Sequence, residues 1–98
     1  MSADCFDTVP PRKVTEFRAT VLPDGRWLLF HAQKNIAHTL NAPAGILWEL
    51  CDGYTLMPEL ISQLQELYPD TAEETLLAEA QQTLRFFIDE ALVICDAS

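Results

Sequence analysis

The chain has 98 residues, 49% of them apolar, and carries a formal charge of −9 from 15 acidic against 6 basic side chains. A chain of this length makes one domain and buries roughly 60–65% of the surface it exposes when unfolded, enough for one core but not for an enclosed cavity of enzyme size. The apolar content is that of a folding chain, and the acidic balance argues against a nucleic-acid surface, because polyanion affinity comes mainly from basic groups that displace phosphate counterions.

Residues 1–13 contain Pro10-Pro11 and little pattern, so they read as a flexible N-terminal arm before a domain spanning 14–94, with 95–98 as a tail. From Val14 onward Phe17, Ala19 and Val21 alternate with Glu16, Arg18 and Thr20, which predicts a strand with one wet face. Pro23-Asp24-Gly25-Arg26 is a hairpin turn, since proline presets φ and glycine tolerates positive φ. Trp27–His31 is the returning strand, apolar on both faces, which predicts cover on both sides. A second turn at Gln33-Lys34-Asn35 leads to a third strand, Ile36–Leu40.

Three helices follow. Asn41 is the expected N-cap of the first, Pro43 suits a first turn whose N–H groups lack partners, and Asp52-Gly53 ends it. Thr55 is the expected N-cap of the second, where Leu56, Leu60, Leu64 and Leu67 make a stripe with Ile61 and Tyr68 beside it, before Pro69 stops the helix. Thr71-Ala72-Glu73-Glu74 reads as a capping box opening the third, whose core stripe is Leu76, Ala80, Leu84, Phe87, Ile88 and Ala91. Val93-Ile94 reads as a short terminal extension. Three strands and then three helices are the order of an α+β winged helix-turn-helix with an antiparallel sheet.

Catalysis finds little support. His31 and His38 both fall on strands, no serine stands in a nucleophile-elbow setting, and the three glycines make no phosphate loop. Glu73, Glu74 and Glu79 suit the positive end of the third helix better than acid–base work. Cys5, Cys51 and Cys95 are odd in number and widely spaced, so neither zinc nor a disulfide framework is expected, and Cys51 reads as a small buried apolar residue. No cofactor or metal is expected. The first residues lack the apolar core of a signal peptide, and no run approaches a membrane span, so the expected location is cytosolic.

Two features suggest binding instead. At about 100° per residue, Phe86 lies well away from the third helix's core stripe, so it is either tucked under the sheet or lining a groove. Trp48 poses the same question on the first helix, with packing against the second strand as the plain alternative. The third strand, Ile36-Ala37-His38-Thr39-Leu40, has no proline, lysine or glutamate of the kind that protects a sheet edge. If it is the outer strand, its backbone can accept another extended chain, unless the N-terminal arm or a second copy covers it.

The run Leu40-Asn41, then Ile46-Leu47-Trp48-Glu49-Leu50-Cys51-Asp52-Gly53, the Leu60-Ile61-Leu64 helix, Tyr68-Pro69 and Thr83-Leu84-Arg85-Phe86-Phe87-Ile88 resembles the PqqD-like family, also called RiPP recognition elements, over roughly residues 14–94. The resemblance implies a winged helix-turn-helix that binds the leader of a ribosomally made precursor peptide and delivers it to a modifying enzyme, often a radical SAM enzyme. It implies a leader joining the sheet at Ile36, Ala37, His38, Thr39 and Leu40 and lying against Gln82, Arg85, Phe86 and Asp89. The chain departs from the family pattern in three places. Thr83 replaces an aspartate, Ala91-Leu92-Val93 replaces a Gly-Leu, and the link between the second and third strands is longer. These departures point to a precursor other than that of pyrroloquinoline quinone. The competing readings are a protein-interaction or homodimerisation module and a DNA-binding winged helix, the latter opposed by a third helix with Arg85 as its one basic residue.

Overall fold

The alternation beginning at Phe17 does form a sheet. In the computed structural model, which describes Phe6 and residues 8–95, the described elements are β1 (Arg12–Lys13), β2 (Phe17–Val21), β3 (Trp27–His31), β4 (Ile36–Leu40), α1 (Ala42–Leu50), α2 (Met57–Leu67), α3 (Glu73–Asp89) and β5 (Val93–Ile94). Strands β2, β3 and β4 pair antiparallel in that order, so the sequence's third strand, now β4, is an edge. Helices α1 and α3 meet one face of this sheet, α2 packs on those two helices, and the fold is the expected α+β arrangement.

Strand periodicity decides what is buried. Phe17, Leu29, His31 and Leu40 point into the core, whereas Arg18, Phe30, Ala37 and Thr39 on the other face are exposed. Two expectations therefore fail. Phe30 is 38% exposed, so the second face of β3 is not covered. Ala19 and Val21 are also exposed: they stand on the outer strand β2, while their inner neighbours Leu29 and Trp27 on β3 take the helical cover.

The hairpin turn forms at the expected place. Gly25 takes φ 91°, and Asp24 accepts from the Arg26 backbone N–H and pairs with its guanidinium at 2.7 Å.

Helix starts differ from the sequence reading. Asn41 caps α1 as expected, its Oδ1 accepting from Ala44 N–H at 2.9 Å. Thr55 does not cap α2. It is buried, and its hydroxyl donates to Asp52, whose carboxylate also accepts from the N–H groups of Tyr54 and Thr55. Those bonds, the Tyr54 N–H foremost, hold the Asp52 carboxyl below its ordinary range. Helix α2 starts after Leu56 and buries Met57, Leu60, Ile61 and Leu64, leaving Leu56 and Leu67 exposed. Ala72, not Thr71, precedes α3, without a side-chain cap.

The N-terminal arm is corrected over its described part. Phe6 is fully buried, Pro11 is buried, and β1 pairs antiparallel with β5. Residues 1–5, with Cys5, and 96–98 of the tail lie outside the described residues. Lys13 N–H donates to Cys51 O, Gly53 N–H to Pro11 O and Val14 N–H to Leu92 O. Trp48 joins this seam: it is buried in the core cluster that also holds Leu29 of β3, and its Nε1 donates to Leu92 O at 2.9 Å. Cys51 is buried as expected, and that burial pushes its thiol up to about 12.

The end of α3 explains one departure from the family pattern. Leu92 N–H donates to Phe87 O and Ala91 N–H to Ile88 O, the paired bonds of a Schellman ending. Ala91 sits at φ 59°, where glycine is usual, and is exposed rather than part of the core stripe. Among the described residues no helix is long and apolar enough to cross a membrane.

Two substitutions between alanine and glycine have opposite expected signs. Ala91→Gly relieves the left-handed strain and raises stability by about 1 kcal/mol. Gly45→Ala in α1 adds a Cβ that overlaps the Trp27 indole at Cγ and the two ring atoms beside it. The usual helical gain of about 1 kcal/mol for alanine is then outweighed, with a net loss of about 2 kcal/mol. Urea midpoints of the two variants check both.

Candidate functional site

Strand β4 offers its backbone on one side only. Its inner neighbour is β3, in the register Trp27↔Leu40, Leu29↔His38 and His31↔Ile36. Strand β1 pairs with β5, so among the described residues no strand lies along β4's outer side. The described part of the N-terminal arm therefore leaves that edge uncovered. Alternate residues of an edge strand present unpaired N–H and C=O groups outward.

Burial falls along the strand. Leu40 is 6% exposed and belongs to the core, His38 is half-buried, and Ile36 is 40% exposed. Ala37 and Thr39 face solvent.

Beneath this edge runs α3. Phe86 is 44% exposed, whereas its neighbour Phe87 is fully buried. The open choice for Phe86 is thus answered by a groove position. Its ring meets His38 edge-on at 6.2 Å between centroids. His38 in turn lies 6.1 Å from Phe17, and Phe17 lies edge-on to His31 at 5.1 Å. This ladder of rings links β2, β3, β4 and α3. His38 Nε2 also stands 4.0 Å from Glu90 Oε1. A cleft of about 290 Å³ opens beside the ladder, walled by Thr39, Leu40 and Asn41 on one side and by Gln82, Thr83, Phe86 and Phe87 on the other, with Ala44 at its end.

A second cleft of about 310 Å³ shares Asn41, Ala44, Gln82 and Thr83 with the first. It runs on between α1 and α3 over Leu47, Leu64, Leu76 and Ala80 to Tyr68, with Glu79 at its rim. The two make one groove that begins at the β4 edge and turns under the N-terminus of α1. Its walls are apolar, amide and hydroxyl side chains, with Glu79 at the rim. The arrangement suits binding an extended chain, by backbone at the edge and by side chains in the groove.

The sequence-derived site residues divide. Thr39, Leu40, Gln82 and Phe86 come together around the first cleft, and His38 supports Phe86 from behind. Ile36 and Ala37 lie farther along the same edge. Arg85 and Asp89 are exposed on α3 but do not line the cleft. Arg85 follows the buried Leu84, about 100° round the helix on the side away from Thr83. Asn41, Ala44 and Thr83 line the cleft and were not among the expected residues. Asn41 was legible as a cap and Thr83 as a departure from the family pattern; neither signal speaks of a wall.

A family model described as Coenzyme PQQ synthesis protein D (PqqD) matches residues 26–93. Among solved structures the chain is similar to "TbiB1 in Complex with the TbiA(beta) Leader Peptide", with a TM-score of 0.70 and 17% sequence identity over 89% of this chain and 99% of that one. No curated protein matches the sequence. At that identity the structural likeness speaks for the fold.

The two adjacent phenylalanines should separate binding from stability. Phe87→Ala empties a fully buried position and is expected to cost about 3–5 kcal/mol. Phe86→Ala removes a ring already partly in water and is expected to cost less, about 1–2 kcal/mol. Chemical denaturation of both variants measures the contrast.

Proposed function

The chain belongs to the PqqD family, and from that premise we propose that it is a non-catalytic adaptor for peptide modification. It takes up the leader of a ribosomally made precursor as a further strand beside β4 and presents it to a modifying enzyme. The observation that carries this reading is the bare β4 edge lying directly over the Phe86 cleft. The solved structure of similar fold, TbiB1, is a complex with a leader peptide, which supports the same use of the fold here.

The energetics follow from the two halves of the site. Each backbone hydrogen bond exchanged with water contributes about 0.5–1.5 kcal/mol net, so the edge gives affinity with little sequence choice. Choice comes from side chains entering the groove. Covering the exposed 44% of Phe86 removes about 90 Å² of apolar surface, worth about 2 kcal/mol. That corresponds to about a thirtyfold change in affinity.

The charge of −9 favours leaders with basic residues, so binding should weaken as salt is added. The same charge disfavours DNA: α3 carries Arg85 as its one basic residue among Glu73, Glu74, Glu79 and Asp89. The compartment in which this takes place is proposed to be the cytosol.

The test is a titration of the chain with the leader peptide of the precursor encoded beside it, followed by NMR and calorimetry. Shifts are expected over residues 36–41 and 82–87, and Phe86→Ala should weaken binding by tenfold or more, about 1.4 kcal/mol. Leaders N-methylated at single positions should alternate between weak and unaffected binding along the paired stretch, because only alternate amides of an added strand face β4. Shifts confined to other surfaces, or uniform tolerance of N-methylation, would overturn strand addition.

A further inference from the structure

Helix α3 has a second working flank. Glu73, Leu77 and Gln81 recur every four residues on the side away from Thr83 and Phe86. With Met57, Pro58 and Ile61 of α2 they line a groove of about 390 Å³. A shallower cleft shares Ile61 and Glu73 and carries the groove past Gln65 to Glu66. From Pro58 to Glu66 the groove follows α2 for about 12 Å, two helical turns. Its floor is apolar: Met57 and Ile61 are buried at its base, and Leu77 is 38% exposed. Leu56, just before Met57, is 40% exposed as well.

The electrostatic setting is one-sided. Between Asn35 and Leu84 there is no lysine or arginine, while Glu49, Asp52, Glu59, Glu66, Asp70, Glu73, Glu74 and Glu79 all lie in that stretch. Of the residues that line the groove, Glu66 and Glu73 are acidic and none is basic; Arg85 follows Gln81 by one turn on the same flank, beyond the lining. An anionic membrane or a nucleic acid would be repelled from such a rim. No strand edge borders the groove, so an extended peptide gains no backbone pairing there. A helix fits: its own backbone bonds are satisfied, it buries an apolar stripe in a groove of this length, and its charges choose the partner.

We propose that the α2–α3 groove docks a basic amphipathic helix of a partner protein. Aliphatic side chains at i, i+4 and i+7 of that helix sit over Met57, Ile61 and Leu77, and flanking lysine or arginine side chains face Glu66 and Glu73. The groove is smaller than the roughly 800 Å² per partner of a standard interface, so docking is transient or supplements a wider contact. In a leader-binding adaptor the protein carrying this helix is the modifying enzyme. Only that identification rests on the leader reading; the chemistry of the groove does not.

The probe is a synthetic amphipathic helix of about 15 residues, long enough to be marginally helical, with leucine on its apolar stripe and lysine elsewhere. It is titrated into the full isotope-labelled chain and followed by NMR. The expected result is shifts clustered at Met57, Ile61, Leu77 and Gln81, about tenfold weaker binding in Leu77→Lys and in Glu73→Lys, and no binding when the lysines are replaced by glutamate. Absence of shifts, shifts spread evenly over the acidic surface, or unchanged affinity in Leu77→Lys would overturn the proposal. Phe86→Ala should leave this binding intact. If Phe86→Ala alone abolishes it, the probe occupies the β4 cleft, which overturns the docking groove and leaves the leader reading standing.

Discussion

The contact between Trp27 and Gly45 sets the distance from sheet to helix. Trp27 lies opposite Leu40 in the register, and its indole lies where any side chain at residue 45 would have to stand. Only a residue without a Cβ lets β3 come this close to α1. A single residue, Asn41, then joins β4 to α1, its side chain capping Ala44 and its carbonyl accepting from Gly45 N–H. Strand end, cap and first helical turn form one packed unit. Leu40, Asn41 and Ala44 are walls of the groove because that unit is closed, so the shape of the site is inherited from a packing contact on its inner side.

The opposite wall is held by the seam at the chain ends. Helix α3 stops at Ala91 in a left-handed residue, and the chain turns back so that Leu92 meets Trp48 and Val14. Lys13 lies over the Trp48 ring at 5.3 Å and pairs with Glu49 at 2.8 Å, adding a partly exposed clamp across the seam. Its polar links are worth little singly, since exposed pairs contribute only about 0–1 kcal/mol. Their effect is positional: they tie the end of α3 to β1 and α1, and so fix Phe86 and Phe87 against the sheet.

Much of this was legible in the sequence, because the strongest signals were local. Alternation from Phe17, the Asp24-Gly25 turn, Asn41 before Pro43, and the stripe through Leu76, Ala80, Leu84 and Phe87 each depend on neighbours a few residues away. Phe86 stood out for the same reason, since its angle on α3 conflicts with its size. The failures are tertiary. Arg12–Lys13 is too short to show a period, and it forms a strand only because Val93–Ile94 lies alongside. Thr55 looked like a cap, but Asp52 reached its hydroxyl first. Val21 alternated correctly, yet it stands on the outer strand β2 and remains exposed beside Trp27. Asn41, Ala44 and Thr83 became groove walls through the meeting of β4, α1 and α3, which no spacing along the chain encodes.

Helix α3 is where these constraints converge. Its core stripe of Leu76, Ala80, Leu84 and Phe87 leaves two flanks rather than one exposed back. Thr83 and Phe86 turn toward the β4 edge, and Leu77 and Gln81 turn toward α2. A domain of 98 residues has little core to give up, since stability in this size range is a small difference between large terms. Placing both grooves between elements that already pack leaves the core intact: each flank uses side chains half-buried by the fold and asks only for a partner to finish covering them. Gripping a chain by its backbone suits the same economy, because it needs an open strand edge and a few apolar walls instead of a deep pocket. The two grooves proposed as docking sites, at β4 and between α2 and α3, are thereby held apart by the width of a single helix.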